Sequence, residues 1–350
     1  MPSASPVSLP EAPDPKRSLS RSYDMQFHGT AEFRGGNCPT SVYYNRGRFG
    51  RLFPALPALR VEPHLLMHLG KKGGLMDGST PETNPDHPDG LEAGFTFLGQ
   101  FIDHDITFDP TSSLERQLDP EAVENFRTPT LELDNVYGSG PGAHPHLYRR
   151  DDRALLLTSP VADSSGFDLP RNSEGTALIG DPRNDENLIV SQLHLAMLRF
   201  HNAVVEEIRP NLSARETLFE AAQRLVRWHY QWIVLNEYLP KIVGRPMVDA
   251  ALAERRFFKW RNEPFIPVEF AVAAFRFGHT QVRPGYAISG EFARPIFSPT
   301  ASGEALPADL NGGRPIKKEQ LVEWNRFFDA GGASALARID PGLLAKRGPL

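Results

Sequence analysis

The sequence predicts a mainly α-helical protein with long irregular loops. Apolar residues recur at helical spacing over 185–208 and 213–239, strand signals are sparse, and the 29 glycines and 32 prolines among 350 residues imply much irregular chain between elements. Hydrophobic residues make up 40%, enough for a large core, which excludes wholesale disorder. The net charge of −5 lacks the basic excess of a general nucleic-acid binder. A single cysteine, Cys38, excludes an intrachain disulfide and any cysteine-built zinc or iron–sulfur site.

Residues 1–25 hold Pro, Ser and charge without an apolar stretch, and read as a disordered leader rather than a Sec signal peptide. Residues 26–350 read as one large domain. No run approaches 18 apolar residues, so no transmembrane helix is expected. Over 30–90, GGNCPT and MDGSTPETNPDHPDG predict ordered loop with short helical pieces. A short helix is expected over 92–106, then turn-rich chain over 109–185. The helix over 185–208 aligns Leu188, Leu195, Leu198 and Val205 and ends at Pro210. The next, over 213–239, starts at Ser213 with Glu216 three residues on, a capping box. Its expected stripe is Leu218, Ala222, Leu225, Trp228/Trp232 and Leu235, ending at Pro240. A further helix is expected over 266–278, with VEFAVAAFRFG.

Four groups of residues stand out chemically. In GQFIDHDITFDP, Gln100 and His104 share a helical face, while Asp103 and Asp105 are each turned by about 100° from His104. An apolar core helix has no use for that arrangement; a solvated surface turn is the plain alternative. In GDPRNDENL, Glu186 suits a helix N-terminus. Arg183 has the wrong sign for that end and calls for an anionic partner, with Asp185 the ordinary choice. In AFRFGHTQVR, an apolar helix delivers His279 beside Gly278, as a metal or haem ligand or as a satisfied core histidine. His194 and His201, seven apart on one helix face, lack the acidic ligand of a zinc set and read as structural.

Taken in order, GQFIDHDITFDP, RTPTLELDNVYGSGP, GDPRNDENLIVSQLHLAMLRFHN, NEYLP and AFRFGHTQVR resemble the animal-type haem peroxidases of the peroxidase–cyclooxygenase superfamily, in the flavour of its bacterial members. The resemblance covers roughly residues 30–290. It implies the superfamily's helical fold and a haem b held by His279 as proximal ligand. His104 is then the distal base, with Gln100 and Arg183 beside it, and Arg276 matches the arginine that pairs with a haem propionate. Asp103 and Glu186 match carboxylates that form ester links to haem in mammalian members, so the haem is expected in free or ester-linked form. Asn187 stands where some members carry a methionine that forms a sulfonium link; that third link is absent.

The resemblance also implies a calcium site built from Asp105, Thr128, the carbonyl of Thr130, Glu132 and Asp134. Oxygen donors of this kind suit Ca²⁺. Glu132 replaces the usual Asp and Asp134 a Ser found in some members. The implied activity is reduction of hydrogen peroxide with oxidation of small phenols or halides, with no nucleic-acid or membrane partner. A fatty-acid dioxygenase is disfavoured, because Arg276 occupies the place of that branch's radical-forming tyrosine. Nothing after His279 resembles the family's later motif with its imidazole-bonding asparagine. Residues 300–350 resemble only the segment ahead of it, so the domain reads as lacking its C-terminal portion. That leaves an inactive or haem-binding fragment, or a second chain completing the pocket, as alternatives. Calcium favours an extracytoplasmic location and the missing signal peptide a cytoplasmic one; the compartment stays open.

Overall fold

Helices dominate because the longest apolar-periodic stretches also carry good caps. In a computed structural model of the chain they are α1 (Pro63–Gly70), α2 (Gly94–Ile106), α3 (Asp134–Tyr137), α4 (Gly140–Ala143), α5 (Leu188–Ile208), α6 (Leu218–Ile233), α7 (Leu239–Val243) and α8 (Arg245–Ala253). The structure describes residues 47–74, 90–108, 124–212, 216–297, 307–329 and 338–339, apart from 54, 58, 126, 128, 129, 255, 259–264, 291 and 308. These belong to one compact unit, Ser41–Leu350. The leader expected over 1–25 lies outside the described residues.

Strands are short. Gly47–Gly50 pairs antiparallel with Glu124–Asn125 and parallel with Ile266–Pro267, while Leu91–Glu92 pairs antiparallel with Arg338–Ile339. Two further antiparallel pairs join Ser159–Pro160 to Phe167–Asp168 and Gly285–Ala287 to Ala293–Pro295.

The core is built where α5 packs between α2 and α6. Asn187 caps α5 by accepting the Val190 N–H at 3.0 Å, so the helix starts at Leu188 rather than 185 and ends, as expected, at Ile208. Leu188–Asn211 is long and apolar enough to cross a membrane by length and composition. Yet 56% of its apolar window is buried inside the protein, as befits a core helix. A second cluster joins Phe97 of α2 and Leu188 and Ile189 of α5 to Tyr286, Ile288, Phe292, Leu310 and Phe327. It ties the start of α5 to the later chain.

Two helical expectations need correction. Helix α6 starts at Leu218, not near Ser213, which lies outside the described residues. Thr217 and Glu220 form the capping box, with Glu220 N–H donating to the Thr217 hydroxyl and Thr217 N–H to the Glu220 carboxylate. The buried stripe is Phe219, Ala222, Val226 and Tyr230, so the expected stripe is rotated and Trp228 and Trp232 are 55% and 57% exposed. Which face of this helix is covered was decided by its partner α5 and not by apolarity alone. Beyond Ile233 the backbone widens into a π-helical turn, Val234–Tyr238, that sets Tyr238 over α2. A Cβ on Gly99 would lie 2.6 Å from the Tyr238 hydroxyl, so only glycine permits that approach.

The single helix expected over 266–278 is also wrong. A short strand, Ile266–Pro267, precedes a π-helical turn, Glu269–Ala273, and a 3₁₀ helix, Ala274–Gln281. Widening the turn superposes residues five apart, and Phe270 stacks on Phe275 with ring centroids 5.0 Å apart and planes at 27°. His279 therefore sits within the tighter helix and not just past the end of an α-helix.

His194 and His201 are both fully buried on α5. His201 Nε2 donates to the Ala154 carbonyl at 2.8 Å, and its Nδ1 accepts from the Tyr137 hydroxyl at 3.0 Å. Burial lowers the pKa of His194 to about 3 and of His201 to about 4. The unfolded chain then binds more protons below an ordinary imidazole pKa near 6.5, so the stability of these neutral rings is complete above that value and is lost as pH falls toward 4. Stability should drop by up to about 1.4 kcal/mol per pH unit for each histidine. Urea midpoints measured from pH 7 to pH 4.5 test this; a flat profile would contradict it.

Candidate functional site

Helix α2 buries every side chain except that of Gln100, and its last turns send four polar groups in different directions. Gln100 Nε2 donates to Glu186 Oε2 at 3.2 Å, and Asn187 Nδ2 donates to Gln100 Oε1 at 3.1 Å. Asp103 faces the 3₁₀ segment, where Arg276 Nη1 lies 3.4 Å from its Oδ2. His104 is buried with Nδ1 2.8 Å from Asn184 Oδ1. Burial and then the Arg183 charge lower its pKa to about 4, against the Asn184 hydrogen bond and the charges of Asp181 and Asp103. Its imidazole is neutral at neutral pH.

The stretch GDPRNDEN folds as a 3₁₀ turn, Pro182–Asp185, capped by Asp181. Arg183 does not pair with Asp185. Its Nε and Nη2 reach the two Asp181 oxygens at 3.0 and 2.8 Å, and Nη2 also donates to the His104 carbonyl at 3.1 Å and to that of Thr107. The cation is misplaced for the helix it precedes but well placed for the C-terminus of α2, whose last carbonyls lack helical partners. Asp181 is fully buried and takes Arg127 as well, at 2.9 Å. Burial alone would raise its carboxyl, but the bonds and charge of Arg183, with Arg127, hold it below the usual range.

Asp185 belongs to another guanidinium. Arg171 Nη1 and Nη2 meet its two oxygens at 2.6 and 2.8 Å, while Arg171 Nε meets Asp168 at 3.0 Å. The turn is also clamped by later chain. Gly312 N–H donates to the Glu186 carbonyl and Gly313 N–H to that of Asp185, both at 2.9 Å, and Leu188 N–H donates to the Leu310 carbonyl at 2.8 Å. A Cβ on Gly312 would collide with the Asp185 carbonyl. Glu186 and Asn187 are thereby held beside Gln100.

On the 3₁₀ segment His279 is exposed. Its Nδ1 lies 3.1 Å from the Arg276 carbonyl, so that nitrogen carries the proton and Nε2 keeps its lone pair. Val272 is 54% exposed nearby in sequence, and a side chain on Gly278 would meet open space. Arg276 links this segment to Asp103, the residue before His104. The two imidazoles singled out from sequence thus lie on elements joined by one ion pair.

Asp105 is turned to the opposite side. It is fully buried, and neither carboxylate oxygen makes a hydrogen bond of full geometry, although the Tyr230 hydroxyl and the Leu133 and Asp134 N–H groups lie near. Burial and then the neighbouring Asp134 carboxylate raise its pKa to about 7, partly offset by nearby N–H groups of Leu133 and Asp134 and by Arg127. Leu133 adopts a left-handed conformation (φ 60°, ψ 38°), rare for a branched residue, at the point where the chain turns Asp134 inward. Arg227 Nε donates to the Glu132 carbonyl at 2.7 Å and Gln231 Nε2 to that of Leu131 at 3.1 Å, so α6 fixes the loop. Thr130 is exposed and Thr128 lies outside the described residues. Among the described residues no three His, Cys, Asp or Glu side chains gather into a metal-binding group.

Sequence reasoning passed over Asn184, Asp181, Arg127 and Arg171. Besides the local pairs Asp181–Arg183 and Arg171–Asp168, they have partners 10 to 80 residues away, which no local spacing signals.

Comparison with known proteins places the chain in a family. A family model described as animal haem peroxidase matches residues 115–302, just over half of the chain, a span that includes Arg183, Glu186, Arg276 and His279. Heme peroxidase 2 of Caenorhabditis elegans is 30% identical over 231 residues, 57% of this chain and 32% of that protein. Thyroid peroxidase of Rattus norvegicus is 29% identical over 184 residues, 47% of this chain and 20% of that protein. The chain thus spans about a third or less of the length of these relatives. Peroxidase A from Dictyostelium discoideum shares the fold, with a TM-score of 0.53 at 16% identity over 77% of this chain and 61% of that one. The mainly helical architecture and the motif-by-motif resemblance lead to one family: the chain belongs to the animal haem peroxidases.

Proposed function

We propose that this chain is a haem-dependent peroxidase domain that reduces hydrogen peroxide and oxidises a small phenol or halide. The observation that carries the reading is the pairing of Asp103, next to the buried neutral His104, with Arg276, three residues before His279. The donor set fits a haem: an exposed imidazole with a free Nε2, an arginine for a propionate, and carboxylates at Asp103 and Glu186 for ester links. When bound, haem would supply a redox-active iron for the two-electron reduction of peroxide.

In this reading His279 would hold the haem iron through Nε2, and its Nδ1–H bond to the Arg276 carbonyl sets the ring's orientation. Arg276, now paired with Asp103, would hold a haem propionate, and Asp103 would supply a carboxylate for an ester link. His104, neutral at working pH, takes a proton from one peroxide oxygen and returns it to the other. Arg183 holds positive charge near the departing oxygen while fixing the end of α2. Gln100, held by Glu186 and Asn187, adds an amide beside the base. The test is peroxide-dependent oxidation of a small phenol, and separately of iodide, by haem-loaded protein. Turnover above that of free haem is expected; bound haem with no such turnover would instead favour the haem-binding fragment.

A calcium ion at Asp105, with Thr128, the Thr130 carbonyl, Glu132 and Asp134, belongs to the same reading. Its support is the buried Asp105 carboxylate lying beside the Asp134 carboxylate, with its charge only partly compensated by neighbouring donors. A divalent cation would relieve that repulsion and hold the end of α2. Because it binds only the folded chain, removal should lower the melting temperature, by an amount equivalent to about 3–4 kcal/mol if the ion is present at 100–1,000 times its Kd. Calcium should restore it, and Mg²⁺, which demands tight octahedral geometry, should not. Metal analysis finding no calcium in folded protein would refute the site.

A further inference from the structure

Asn184 is fully buried in the turn ahead of α5, and nothing above gives it a chemical role. Its side-chain amide spans two imidazoles. Oδ1 lies 2.8 Å from His104 Nδ1, and Nδ2 lies 2.9 Å from His194 Nδ1. An amide accepts at one end and donates at the other. Two rings that meet it through Nδ1 must therefore hold opposite tautomers. His104 donates from Nδ1 and keeps its lone pair on Nε2. His194 accepts at Nδ1 and carries its proton on Nε2, where it has no hydrogen-bond partner and the ring meets Phe101 at 6.0 Å between centroids and 64° between planes. The chain immediately after Asn184 is held by Arg171 on Asp185 and by the Gly312 and Gly313 N–H groups on the Glu186 and Asp185 carbonyls.

We propose that Asn184 is a positioning residue that locks His104 in the Nδ1–H tautomer and so keeps Nε2 a proton acceptor, with His194 setting the orientation of the amide. The proposal rests on the reading of His104 as the peroxide base. An inverted amide would place the proton on His104 Nε2, which could then accept nothing from peroxide. His194, passed over as structural, becomes part of the same chain of hydrogen bonds.

Long-range ¹H–¹⁵N correlation spectra of histidine-labelled full-length protein at about pH 8 report the tautomer of each ring, with His104→Gln and His194→Gln supplying the assignments. The parent should show His104 as Nδ1–H and His194 as Nε2–H. Asn184→Asp, which can accept at both ends but donate at neither, should leave His104 as Nδ1–H and convert His194 to Nδ1–H. Asn184→Leu should release the His104 proton to Nε2 and slow the peroxide reaction of haem-loaded protein by about 10- to 100-fold, part of the 10²–10⁴ a general base supplies. A parent spectrum with His104 as Nε2–H, which needs no variant to fold, overturns the proposal, as does an Asp variant that leaves His194 unchanged. A tautomer switch in Asn184→Leu with no change in the peroxide rate would instead refute His104 as the base and leave the positioning intact.

Discussion

Replacing His104 by alanine is expected to slow the reaction of haem-loaded protein with hydrogen peroxide by about 10²–10⁴-fold, the usual loss when a general base is removed. The imidazole is buried, and burial with the Arg183 charge keeps it neutral down to a pH near 4. It is therefore in its proton-accepting form over the whole physiological range. Haem content should not change, because the proposed axial ligand is on a different segment. The substitution also removes a buried ring and leaves Asn184 Oδ1 without its donor, so stability should fall by about 1–3 kcal/mol. His104→Gln, which keeps volume and a donor but not a base, separates the two effects: it should recover much of the stability and none of the rate. Equal stopped-flow rates for parent and both variants would remove His104 from the chemistry.

His279→Ala is expected to lower haem occupancy by at least about tenfold, since it deletes the one proposed bond to iron and no packed side chain. His279 is exposed, and its Nδ1 bonds the Arg276 carbonyl three residues earlier. Loss of fold is therefore not the expected route: exposed substitutions of this kind move stability by about 0.5 kcal/mol or less. Visible spectra of reconstituted parent and variant, recorded beside their thermal transitions, give both readouts. An unchanged haem absorption band in the variant would show that the axial ligand is elsewhere. Haem loss with an unchanged melting temperature of the haem-free protein is the outcome that identifies His279 as ligand.

Local signals in the sequence determined the helical class, the limits of α2 and α5, and the segments that carry Gln100, Asp103, His104, Asp105, Arg183, Glu186, Arg276 and His279. Those elements were legible because their causes are local, an apolar period and Pro210 at the end of α5, though α5 starts at Leu188 behind an Asn187 cap and not at 185. Tertiary structure alone decided which groups meet. Arg183 takes Asp181 because Arg171 already fills Asp185 and the end of α2 offers free carbonyls. Trp228 and Trp232 stay exposed because α5 covers the other face of α6. The bond from Asn184 to His104 spans 80 positions, and the clamp of Gly312 on Glu186 more than a hundred. A backbone widened by one residue at Val234–Tyr238 and Glu269–Ala273 leaves no mark in a 3.6-residue apolar period.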